Sequence, residues 1–139
     1  MDEKIFIINI DNLIIENDKV DLNIVEKIKL INREYYVGLI SLRIEEYFLI
    51  NELKLYEHCD YHKCTNMDLL SLINITKEAI LNNNNNNINK IYYLDKNIDN
   101  INKVDLDNNI ITIYLKKNSD INKIELKYYS YVIVITQWK

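Results

Sequence analysis

The sequence predicts an α+β fold, and three observations carry the prediction. Residues 4–10 (KIFIINI) form a short apolar run rich in β-branched side chains, as strands do. Residues 67–81 (MDLLSLINITKEAIL) carry an apolar stripe at helical spacing. Beyond them, residues 91–94, 110–115 and 124–135 read as strands joined by Asn- and Asp-rich turns. The expected architecture is one mixed or antiparallel sheet with two to three helices and a strand-rich C-terminal half. Residues 1–139 form a single domain in this reading, because a chain of this length matches one hydrophobic core.

The elements follow in order. After the first strand, residues 12–16 predict a second, and Asn17-Asp18-Lys19 a turn, since Asn and Asp tolerate unusual backbone angles. Asp21 caps a short helix with Leu22, Val25 and Ile28 on one face. Residues 35–44 (YYVGLISLRI) predict a strand, with Val37, Leu39 and Ser41 on one side and Gly38, Ile40 and Leu42 on the other. Gly38 marks a bulge or a close backbone approach. Residues 45–57 fit both periods and are read as helix. Thr65 or Asn66 caps the main helix, whose stripe is Leu69, Leu70, Ile73, Ile80 and Leu81. The six asparagines at 82–87 end it, because their amides compete with the backbone for hydrogen bonds. The polar stretch 96–109 is a loop, and the final run, YYSYVIVITQWK, is a strand central to the sheet.

Composition narrows the function classes. Hydrophobic residues make up 48% of the chain, which sets it apart from disordered sequences. Gly38 is the one glycine, proline is absent, and Ile, Asn, Lys and Tyr abound. Codons for the abundant residues are rich in A and T, which points to a compact A/T-rich genome: a parasite, a large DNA virus or an organelle. With one glycine the chain holds no Walker loop and no GxGxxG turn, and HExxH, GxSxG and EF-hand patterns are also missing. The expectation is therefore a protein that is not an enzyme. No run reaches the roughly 18 apolar residues of a membrane span. Two cysteines make no disulfide framework, so the thiols are expected to be reduced and the protein cytoplasmic.

Charge is polarised. Residues 1–70 hold 14 Asp/Glu against 8 Lys/Arg, a net of −6, whereas residues 71–139 hold 7 against 9, a net of +2. The basic C-terminal end and its paired tyrosines give a candidate nucleic-acid surface of Lys116, Lys117, Lys123, Lys127, Tyr128 and Tyr129. Lysines would neutralise phosphates there and rings would stack on bases. Tyrosines also pair at Tyr35-Tyr36 and Tyr92-Tyr93, where the alternative is one ring in the core and one at its rim.

Both histidines and both cysteines fall in His58-Cys59-Asp60-Tyr61-His62-Lys63-Cys64. Cys59, His62 and Cys64 are candidate zinc ligands, although a closed tetrahedral site needs a fourth ligand from elsewhere. The same residues form a candidate Cys–His nucleophile pair. The plainer reading places the cysteines as small apolar residues at an element end.

YYVGLISLRI, LYEHCD, NMDLLSLI and NNIITIYLKKNSD follow one another as the segments of a PCNA-type sliding-clamp domain do. The sequence resembles that family over about half its length. The resemblance implies a strand, a following helix and a hairpin at the IITI segment, in a ring-forming DNA replication factor. The first helix is short, an Asn-rich insertion separates helix and hairpin, and a clamp subunit has two such domains.

The leading functional expectation is a non-catalytic interaction protein. Its partner is a large protein–RNA assembly, most concretely a ribosome that it docks on and silences, with neither a membrane nor a small-molecule substrate involved. The clamp-like factor and a small Cys/His enzyme or zinc module are the alternatives.

Overall fold

The computed structural model describes residues 4–84, 90–126 and 132–133. The first strand, β1 (Lys4–Asn9), is followed by a tight hairpin of β2 (Ile15–Glu16) and β3 (Lys19–Val20). Asn17 and Asp18 form its two-residue loop, both at positive φ (53° and 63°), as a turn matching the strand twist requires. Helix α1 (Leu22–Glu34) starts at Asp21, whose carboxylate accepts from the Asn23 and Ile24 amides. Strand β4 (Tyr36–Ser41) follows, then a 3-10 turn (Ile44–Glu46), the short α2 (Tyr47–Glu52), a second 3-10 turn (Leu55–His58) and β5 (Tyr61–Cys64). Helix α3 (Leu69–Asn84) leads to β6 (Lys90–Asp95), α4 (Ile98–Val104) and β7 (Ile110–Tyr114). A 3-10 segment (Asn118–Lys123) precedes β8 (Glu125–Leu126), which pairs antiparallel with β9 (Val132–Ile133).

Helices and strands are both present, as expected, but the sheet differs from the expected one. It has five strands in the order β5-β4-β1-β6-β7, and every pairing in it is parallel rather than mixed or antiparallel. The physical reason lies in the strand composition. Phe6 and Ile8 face one layer, with α1 and α2; Ile5 and Ile7 face the other, with α3 and α4. A strand buried on both faces is apolar throughout, and covered faces are the signature of a parallel sheet. The strands of this sheet alternate with helices instead of gathering in the C-terminal half. Four α-helices and three 3-10 segments occur among the described residues, more than the two to three helices expected.

Three local readings also change. Residues 96–109, read as loop, contain α4: Asn97 caps it through the Asp99 and Asn100 amides, and Ile101 and Val104 bury one face. The cap of α3 is Asp68, which accepts from the Ser71 amide at 3.0 Å, rather than Thr65 or Asn66. The central strand is β1, while the described part of the final run pairs only with β8 in a separate ladder. The IITI segment that the clamp resemblance assigns to a hairpin is the parallel edge strand β7.

The strand expected around residues 36–41 holds in the core, whereas Leu22 is 70% exposed rather than on the buried face of α1, and the tyrosine pairs do not split between core and rim. Val37 and Leu39 pack on the α1 side, and Gly38 faces Thr76 and Ile80 of α3, a close approach rather than a bulge. Tyr35, Tyr36, Tyr92 and Tyr93 are all buried, so neither of these pairs offers a ring for base stacking. Phe6 stacks on Tyr92 with centroids 4.7 Å apart.

Candidate functional site

A doubly wound parallel sheet places its useful groups by geometry. From β1 the chain turns to α1 on one face, and from β6 it turns to α4 on the other. The two connections part company beyond the carboxyl ends of these neighbouring strands and leave a crevice there. Open α/β sheets bind ligands at such a reversal of strand order.

Each strand that ends at this crevice closes an apolar run with a polar residue. On β1 it is Asn9, fully buried. Its amide donates to Asp95 Oδ2 at 3.0 Å and to the Tyr93 hydroxyl at 3.4 Å, and its Oδ1 accepts from the Asp11 amide at 2.9 Å. On β6 it is Asp95, 1% exposed. Asp95 Oδ2 also accepts from the Tyr93 hydroxyl and from Asn100 Nδ2, and Oδ1 accepts from the Asn97 amide at 2.8 Å. Burial raises the Asp95 pKa above the usual carboxylate value, and the four donors only partly offset it. Burial and the neighbouring Asp95 carboxylate push the Tyr93 phenol well above its ordinary range.

On β4 the closing residue is the buried Ser41. Its hydroxyl donates to Asp11 Oδ1, and the Leu42 amide donates to Asp11 Oδ2 at 3.1 Å. Asp11 is thereby fixed between β1 and β4. Asn12, at φ 60°, turns the chain immediately after it, a backbone angle that Asn tolerates.

The crevice is a cavity of about 380 Å³ lined by Asp11, Asn12, Leu42, Arg43, Asp95, Lys96, Asn97 and Asn100. That volume lies within the range of small-molecule pockets. A second hollow of about 260 Å³ shares Asn12 and Arg43 with it and adds Ile10, Ile15 and Glu46. Arg43 Nε meets Glu45 at 3.0 Å, and Lys96 meets Glu16 of the hairpin at 3.3 Å. The lining thus offers amide donors and acceptors, a fixed carboxylate and two cations, an array suited to hydrogen-bonding a polar molecule. Asp11 has both oxygens engaged, Ser41 is buried, and no thiol or imidazole lines the cavity.

The residues singled out in the sequence lie elsewhere. Cys64 ends β5 and is buried in the α1-side core, with the half-buried Cys59 packed against it. Burial pushes both thiols up to about 12. His62 packs edge-on to Tyr47 at 5.9 Å, and burial lowers its pKa. Among the described residues no three His, Cys, Asp or Glu side chains are grouped to hold a metal ion. Lys116, Lys117 and Lys123 are exposed beyond β7, with Lys123 3.5 Å from Asp120. Lys127, Tyr128 and Tyr129 lie outside the described residues.

Sequence reasoning missed Asn9, Asp11, Ser41 and Asp95. The signal for Asn9, Ser41 and Asp95 was a single polar residue closing each of KIFII, GLI and IYYL, and Asp11 stands two residues beyond Asn9. No helix among the described residues is long and apolar enough to cross a membrane. Comparison with known protein families finds no model that matches the chain, and comparison with curated protein sequences finds no match.

Proposed function

We propose that this protein is a non-catalytic binding domain whose ligand is a small polar molecule held in the crevice beyond β1, β4 and β6. One observation carries the reading: Asp11, Arg43, Lys96, Asn97 and Asn100 converge on one cavity of about 380 Å³ at the reversal of strand order. A ligand with both donors and acceptors complements that lining. A small-molecule partner had no support in the sequence; the crevice is what brings it forward.

The test is a thermal-shift screen of the full chain against sugars, amino acids, nucleotides and phosphorylated metabolites. A ligand that binds only the folded state raises the midpoint with concentration. The shift should shrink in Arg43→Ala and Lys96→Ala, whose side chains are partly exposed and whose loss leaves the core intact. A folded protein that no compound stabilises at millimolar concentration removes the reading.

A second reading rests on the exposed Lys116, Lys117 and Lys123, which share one eight-residue segment after β7. In it the protein docks on a large protein–RNA assembly such as a ribosome. Co-sedimentation should then fall steeply with salt, and Lys116→Glu with Lys117→Glu should abolish it. A chain that stays at the top of a low-salt gradient rules this reading out.

A further inference from the structure

We propose that the protein self-associates through the face at the amino-terminal ends of β6 and β7, with Leu106 of each copy entering a hollow on the other. Leu106 follows α4 and is 83% exposed, the most exposed large hydrophobic side chain among the described residues. Water contact for a whole leucine side chain is unfavourable, and none of the described residues covers it.

The hollow lies beside it. Leu70 and Ile73 of α3, Ile91 of β6 and Ile110 of β7 form its apolar floor, with Lys77 and Asp107 at its polar edge. Its volume is about 150 Å³. An apolar cavity of that size holds a benzene-sized group, so it admits a leucine isobutyl group.

Knob and hole share an edge, because Asp107 lines the hollow and Leu106 is the residue before it. A two-fold interface requires this arrangement: one patch must carry both halves of the contact so that each copy gives and receives. The charges agree with it. Lys77 stands 3.8 Å from its neighbour Glu78, at the limit of an ion pair, and Asp107 uses Oδ1 on the Asn109 amide. Lys77 and Asp107 line the same hollow, so the proposed dimer pairs Lys77 of one copy with Asp107 of the other. A small apolar ligand in the hollow satisfies neither condition, because it leaves Leu106 in water. The position fits as well, since β7 is an edge strand and a second copy beside it lies beyond the end of the sheet.

Sedimentation equilibrium of the full chain from about 1 to about 200 µM tests the proposal. The expected mass moves from one chain toward two. Leu106→Asp, at an exposed position that leaves the fold intact, should weaken association by more than about tenfold, and Leu106→Met should keep it. Lys77→Asp should weaken it by opposing two carboxylates, and Lys77→Asp combined with Asp107→Lys should restore it. A single-chain mass throughout overturns the proposal, as does association that Leu106→Asp leaves unchanged. Failure of the charge-reversed pair to recover also overturns it. A monomer whose hollow takes up benzene assigns the cavity to a small ligand instead.

Discussion

Gly38 and Thr76 touch backbone to methyl: a β-carbon on Gly38 would overlap the Cγ2 of Thr76. The contact seats α3 against β4 at the only glycine of the chain. Thr76 is itself fixed, its hydroxyl donating to the Leu72 carbonyl at 2.9 Å.

Gly38→Ala should destabilise the protein by about 1–3 kcal/mol through overpacking. Thr76→Ser removes the obstructing methyl and keeps the hydroxyl, so the double variant should recover most of the loss. Urea denaturation of the four proteins in the cycle measures the coupling. Additive costs would show that the two positions do not meet.

Asp95→Leu leaves Asn9, Asn100 and the Asn97 amide facing an apolar group. Its cost should be about 3–5 kcal/mol. Asp95→Asn tests the charge alone. The Asp95 carboxyl holds its proton more tightly when folded than when unfolded, so its contribution to stability is complete below the ordinary value of 3.8. That contribution falls as pH rises from 3.8 through the raised folded value, with a slope of at most about 1.4 kcal/mol per pH unit. Asp95→Asn lacks the slope. The stability of the wild type relative to Asp95→Asn should therefore decline as pH rises from 3.8 through the raised folded value. A constant difference across that window would remove the assignment.

The thiols of Cys59 and Cys64, both at about 12, should be slow nucleophiles. At pH 8 the thiolate is on the order of one part in 10,000, so a disulfide reagent should modify the native protein far more slowly than the protein in guanidinium. Rapid native labelling at either position would contradict this burial.

Asp18 sits at φ 63° in the hairpin loop, where a β-carbon is strained. Asp18→Gly should stabilise the fold by about 0.5–1 kcal/mol, and Asp18→Val should destabilise it. Denaturation midpoints of the two variants should move in opposite directions.

The sequence made the positions of β1, β4, β6 and β7 legible, because an apolar run bounded by turn residues has few alternatives, whereas β5 (YHKC) has no such run and went unread. KIFIINI is β1 plus one residue, and Asn17-Asp18 is the turn it resembles. Sheet direction was harder to read. The apolar character of YYVGLIS on both faces was visible, but it signals a parallel sheet only when each strand is seen to be followed by a helix. That inference failed at residues 96–109, where α4 is only seven residues long and its buried contacts reduce to Ile101 and Val104. The cysteine–histidine cluster drew attention through rarity, a property of composition. Most of the crevice residues are Asn and Asp, common types in this chain, and Asn9 and Asp95 meet across 86 positions, a proximity that only strand pairing creates.

That pairing also sets a schedule. β1 leaves the ribosome first, yet its neighbours begin at Tyr36 and Lys90. At ordinary synthesis rates the wait for the second is on the order of ten seconds. Through that interval a strand with four large apolar residues in six has an open edge, with Lys4 its one charge. The nascent chain is therefore most exposed to aggregation during its own translation. A holding chaperone, or fast β1–β4 pairing, matters more to its yield than the stability of the finished fold.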